Sequence, residues 1–169
     1  VEPDAVYTSS IMSNLVVTGS RTLTSLQFTR DQLVANYGVT LRRGAVVALD
    51  TAAHTVRLDD GSVLPYDRIV LAPGVSFDDA YGLTQADYDT RTPHAWRGGA
   101  QTTLLAGQVA AMRDGDTFVI TIPKAPYRSP PGPYELACVV ADYLKRTQGP
   151  NCRVVVLDVA FAANAGGAS

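Results

Sequence analysis

Of the 169 residues in this sequence, two are cysteines, two histidines, two glutamates and one tryptophan. Cys138 and Cys152 are too few for a disulfide scaffold. There is no C-x-x-C, and His54 and His94 stand far apart, so a Cys/His zinc site is not expected. An excess of one charge is also missing: fourteen Lys and Arg against sixteen Asp and Glu leave a net charge of −2. That balance argues against a nucleic-acid binder or an anionic-membrane binder driven by electrostatics. No uninterrupted apolar run reaches the length of a membrane span, so no transmembrane segment is expected.

What is present is 46% hydrophobic and 18% charged, enough apolar material to bury a core. The length suits one domain or pieces of two. The chain reads as incomplete at both ends. It starts at Val1 in a Val-Glu-Pro-Asp that looks like the end of a strand, and residues 162–169 form a small-residue tail expected to be unfolded. No signal peptide is visible.

Along the chain, Asp4 to Ser20 is rich in Ser and Thr without a period and reads as a loop. Leu23, Leu26, Leu33 and Val34 predict a helix over 22–36, with Gly38 as its C-cap glycine. A β-meander follows over Val39–Leu41, Ala45–Asp50 and Thr55–Leu58, turned at Asp60-Gly61. Arg68 to Ala72 reads as a fully buried strand stopped by Pro73-Gly74. Phe77 to Thr92, with four aspartates, reads as a surface excursion, and Pro93 to Met112 as a helix. Thr117–Ile122 and Val154–Asp158 are two further buried-strand candidates. Between them lie a loop, Pro123–Pro133, holding five of the ten prolines, and a helix over Tyr134–Arg146 with Pro133 in its first turn. Strand, loop, helix, strand makes a βαβ unit.

Chemistry is suggested at few places. Glu2 ends a strand and precedes Pro, where dinucleotide-binding folds hold ribose hydroxyls; an ordinary strand-end carboxylate is the simpler account. Ala72-Pro73-Gly74 ends a strand in small residues, which lets a backbone approach a bulky ligand. The proline loop precedes a helix, where phosphate cradles occur, yet proline has no N–H to donate. A rigid loop of this kind instead fixes Ser129 and Glu135. Both glutamates of the chain, against fourteen aspartates, fall in these motifs. Trp96 lies in Pro93-His94-Ala95-Trp96-Arg97, for which a helix-start staple is the plain account. Cys138 is expected to be a buried, inert thiol.

Taken in order, Val1-Glu2-Pro3, Met12-Ser13-Asn14-Leu15-Val16, Tyr66 to Gly74, Pro93-His94-Ala95-Trp96 and Ser129 to Glu135 resemble the flavoprotein subunit of flavocytochrome c sulfide dehydrogenase. The resemblance to sulfide:quinone oxidoreductase is more distant. It implies an α/β, FAD/NAD(P)-binding flavoprotein fold with two dinucleotide domains, Rossmann-like with a β-meander. Residues 1–113 would be part of the FAD domain, 114–158 the start of the second, NAD-domain-like unit, and 159–169 a tail. It further implies that Glu2 meets the adenosine ribose of FAD, the backbone around Val46 the adenine, and that Ala72, Pro73, Gly74 and Trp96 line the cofactor. Glu135 would be an acid/base beside the flavin. Partners by resemblance are a cytochrome c subunit or other acceptor and a small inorganic sulfur substrate, in the periplasm.

Two positions depart from that family. Ser10 stands where the family carries a cysteine bonded to FAD, so FAD would be held non-covalently. Ser129 stands where it carries half of a redox-active disulfide, and a serine forms neither a disulfide nor a persulfide. Three readings therefore stand side by side: a sulfide dehydrogenase-type oxidoreductase, a flavoprotein with another substrate, and an inactive or truncated homologue.

Overall fold

The computed structural model describes residues 1–127 and 129–159. The expected tail over 162–169 lies outside the described residues. In chain order the elements are β1 (Tyr7–Thr8), α1 (Ser13–Val17), β2 (Gln27–Phe28), α2 (Asp31–Tyr37), β3 (Val46–Asp50), β4 (Thr55–Leu58) and β5 (Val63–Pro65). They continue with α3 (Gln85–Thr90), α4 (Ala100–Ala110), β6 (Thr117–Ile122), α5 (Gly132–Thr147) and β7 (Arg153–Asp158). Helix and strand are mixed, as an α/β chain requires. The chain forms two compact units, one of residues 1–8 and 27–77, the other of residues 9–26 and 78 onward.

The first unit is built on the antiparallel meander β3-β4-β5. Its turn is the expected one: Asp60 Oδ1 accepts from the Ser62 N–H and Gly61 takes a φ of 85°, which glycine adopts without strain. The register shifts between Val46 and Ala48, so β3 carries a bulge. β1 and β2 pair antiparallel, and Glu2 makes an isolated parallel bridge to Arg43. Among its apolar side chains, Val56 and Leu58 are buried.

Several expectations fail here. Arg68–Ala72 is not a buried strand: no described strand pairs with it, and Val70 is 90% exposed. A parallel-type strand is defined by neighbours that supply its ladder, and composition alone cannot provide them. Val39–Leu41 likewise forms no strand. The helix expected over 22–36 is broken in two. Ser25 Oγ donates to the Thr22 carbonyl and its N–H donates to Thr22 Oγ1, giving a 3-10 turn over Leu23–Leu26. Such local side-chain bonds compete with helix, and Gln27–Phe28 is then drawn into pairing with β1. The surviving helix, α2, ends at Gly38 with φ 63°, as expected.

The second unit holds the larger core. Parallel strands β6 and β7 pair in continuous register from Thr117 with Arg153 to Ile122 with Asp158. Helix α5 crosses between them and buries Leu136, Val140 and Leu144, spaced four residues apart on one face. Burying each side chain of this size contributes about 1.5–3 kcal/mol. Around them lie Val17 of α1, Leu105 and Val109 of α4, and Ile120 of β6. The strands were expected to be buried on both faces. In fact β6 alternates, with Ile120 and Ile122 buried but Val119 exposed, and Val155 and Leu157 of β7 are exposed as well.

Residues 4–20 are not all loop, because α1 is stabilised by burying Val16 and Val17 rather than by any sequence period. The 77–92 excursion contains α3, started by a capping box in which Thr84 and Asp87 exchange bonds. The helix expected from Pro93 begins only at α4, after Gly99, whose φ of 115° no helix contains.

Candidate functional site at the carboxyl edge of the parallel strands

The carboxyl ends of β6 and β7 are where open α/β sheets place their ligands. The proline loop leaves β6 here and α5 begins here. Ser129 takes a left-handed φ of 61°, is exposed, and its carbonyl accepts from the Gly132 N–H at 2.9 Å. The Glu135 N–H donates to the Pro131 carbonyl at 2.9 Å. Donors that a phosphate cradle would need are therefore used inside the loop or missing at proline. Glu135 stands exposed in the first turn of α5, where the helix dipole favours a carboxylate.

Trp96 lies against this helix start. An added Cβ at Gly132 would lie 1.8 Å from Trp96 Cζ2, so only glycine lets the indole sit there. The same indole, half-buried, packs on the core of the unit. His94 steadies the approach: its Nδ1 accepts from the Trp96 backbone N–H at 3.2 Å, and its backbone N–H donates to Gln101 Oε1 at 2.8 Å. Burial first, and the nearby Arg97 charge second, bring His94 down to about 4, so it is neutral at physiological pH.

Three residues complete the edge that sequence reasoning did not single out. Tyr127 Oη donates to Asp158 Oδ2 at 2.9 Å and Tyr134 Oη donates to the same oxygen at 2.7 Å. The bond to Asp158 is the main cause that pushes Tyr134 up to about 12; burial, then the Asp158 bond, pushes Tyr127 up. The signal existed. Asp158 ends a strand of a βαβ unit, the same position that drew attention to Glu2.

The remaining expected site residues are placed as follows. In the first unit, Glu2 Oε2 pairs with Arg30 at 2.9 Å and Oε1 accepts from the Asp4 N–H at 3.0 Å. Val46 is exposed beside the bulge, and Ala72, Pro73 and Gly74 are exposed, Gly74 with φ 80° and open space where a Cβ would go. In the second unit Ser10 is exposed, just before α1, with Trp96, Ser129 and Glu135 around the start of α5. Cys138 is exposed rather than buried, because α5 turns it away from the Leu136–Val140–Leu144 face. Cys152 Sγ donates to the Arg113 carbonyl at 3.3 Å.

One buried atom bears on a cofactor. Asn14 of α1 is 7% exposed, and its Oδ1 has no hydrogen-bond partner among the described residues. A buried acceptor without a donor is costly, and a flavin with its ribityl hydroxyls carries N–H and O–H donors of the kind it lacks. Asn14 Oδ1 fits such a group.

Residues 102–165 match the family model of the central part of the flavoprotein chain of flavocytochrome c sulfide dehydrogenase. That stretch is the one that carries β6, the proline loop, α5 and β7. A chain of the Tetrahymena thermophila mitochondrial ATP synthase, in an F1Fo composite tetramer, is similar over 94% of this chain with a TM-score of 0.62 and 14% identity. This chain spans 40% of that chain's length, and the likeness speaks to fold alone. No helix among the described residues is long and apolar enough to cross a membrane.

Proposed function

We propose that this chain is part of an FAD-dependent oxidoreductase of the sulfide dehydrogenase type. The observation that carries the reading is the family match over the proline loop and its βαβ unit. In the proposal, residues 1–113 belong to an FAD domain and 114–158 open a second, NAD-domain-like unit of a longer, periplasmic protein. Glu2 would accept from the ribose hydroxyls, with Arg30 holding its carboxylate in place. Val46, Ala72, Pro73, Gly74 and Trp96 would line the cofactor, and Asn14 Oδ1 would take a donor from it. A bound flavin would supply two-electron oxidation of a reduced sulfur compound and single-electron delivery to a cytochrome c.

The chain's own residues set limits on that chemistry. Ser10 offers no thiol, so attachment would be non-covalent. Ser129 presents a hydroxyl where the resemblance expects an attacking sulfur. Glu135, exposed at the helix start, would take the proton a sulfur substrate releases. Because Ser129 cannot form a persulfide, a flavoprotein acting on another substrate is the second reading.

The test is the visible spectrum of the full reading frame containing these residues, recorded before and after acid precipitation. Flavin released to the supernatant is the expected result and makes sulfide titration the next step. Flavin that stays with the pellet would overturn the non-covalent assignment at Ser10. A colourless protein that FAD does not reconstitute would overturn the oxidoreductase reading.

A further inference from the structure

A loop with five prolines has few backbone donors with which to tie itself down, since each proline removes one. Its far ends are joined by side chains instead. Tyr127 comes from the loop, Tyr134 from the first turn of α5, and Asp158 from the last position of β7, yet both phenols donate to one carboxylate oxygen. An oxygen with two lone pairs can accept both, and bonds to an ionised acceptor are the stronger kind. The loop also carries the exposed Lys124–Asp78 pair at 3.5 Å, a kind of contact that contributes little.

We infer that Asp158 is a positioning residue that anchors the proline loop and the start of α5 through Tyr127 and Tyr134. Ser129 lies two residues beyond one anchored tyrosine and Glu135 directly follows the other, so the carboxylate sets where both are presented. What Ser129 and Glu135 then do rests on the proposed function; the anchor does not. The phenols remain donors across the physiological range, because Tyr134 is pushed up to about 12.

Limited trypsin digestion of the chain, without added flavin, reads the anchor through cleavage after Lys124. Tyr127→Phe and Asp158→Ala should each speed that cleavage by about tenfold, with digestion elsewhere unchanged. Combining them should add nothing beyond Asp158→Ala alone, since that change already removes the acceptor of the Tyr127 hydroxyl along with that of Tyr134. Tyr127→Phe keeps the ring and so protects the test against Asp158→Ala failing to fold. In alkaline absorbance titration, Asp158→Ala should return one of the eight tyrosines from about pH 12 toward 10. Unchanged cleavage in Tyr127→Phe, or effects that multiply in the double variant, would overturn the anchor whatever the flavin experiment shows. A chain that binds no flavin but shows the shared loss would uphold the anchor while removing the oxidoreductase reading.

Discussion

Replacing Gly132 by alanine tests the packing at the start of α5 most directly. The new Cβ would lie 1.8 Å from Trp96 Cζ2, 2.7 Å from Cε2 and 2.8 Å from Cη2. The clash is with a half-buried indole that packs on the core, so the ring cannot swing clear without opening contacts there. Overpacking of this kind costs about 1–3 kcal/mol. Against it, alanine in place of glycine gains at most about 1 kcal/mol of helix propensity. The net expectation is a loss of about 1–2 kcal/mol, a sizeable part of the ~5–15 kcal/mol that a domain has. Urea unfolding followed by circular dichroism measures it. Fluorescence reports the site itself, because Trp96 is the only tryptophan. In a Trp96→Leu background, read by circular dichroism, the same Gly132→Ala change should become neutral or stabilising, a coupling of about 2 kcal/mol. If Gly132→Ala is neutral or stabilising with Trp96 intact, and the emission is unmoved, the indole does not lie on this helix start and the reasoning fails.

His94 gives a pH dependence of known sign. Its folded pKa, about 4, lies below the ordinary 6.5, so between these values the unfolded chain binds the extra proton and stability falls as pH falls. The loss is about 1–2 kcal/mol after discounting for the solvent that reaches the ring; His94→Asn should flatten the difference in unfolding midpoint between pH 7 and pH 4.5. Gly149 holds φ 138°, and a Cβ there would lie 2.3 Å from Asp114 Oδ1, which accepts from the Asn151 N–H. Gly149→Ala should therefore cost about 2 kcal/mol in thermal unfolding; a wild-type midpoint would disprove the contact. Leu136→Ala, at a side chain 1% exposed, should cost about 2–5 kcal/mol in the same assay.

What could be read in advance was whatever short-range chemistry decides. Gly38 as a helix cap, Asp60-Gly61 as a turn, β4, β6 and the helix behind Pro133 all follow from backbone freedom, a missing N–H or a local apolar period. The proline loop was recognised as unable to cradle phosphate for the same local reason, and the internal bonds of Gly132 and Glu135 agree. The α3 cap was also legible, in Thr84 and Asp87, but a stretch of four aspartates drew attention to surface charge instead. Of the candidate site, Ser129 and Glu135 were visible because each stands out locally, the one in a rigid loop and the other as a rare glutamate.

Tertiary structure decided the rest. Arg68–Ala72 has the composition of a strand, but a strand exists only where another chain segment supplies its ladder, and none of the described ones does. Whether Cys138 was buried depended on which face of α5 met the core, and the answer was the Leu136 face. Tyr127, Tyr134 and Asp158 are separated by up to 31 residues and meet on one oxygen. Sequence by itself determined the local conformations, the βαβ order and the rigidity of the loop, because those depend on neighbours along the chain. Only the fold decided which side chains share a carboxylate, because that depends on the crossover of α5 bringing β6 and β7 side by side.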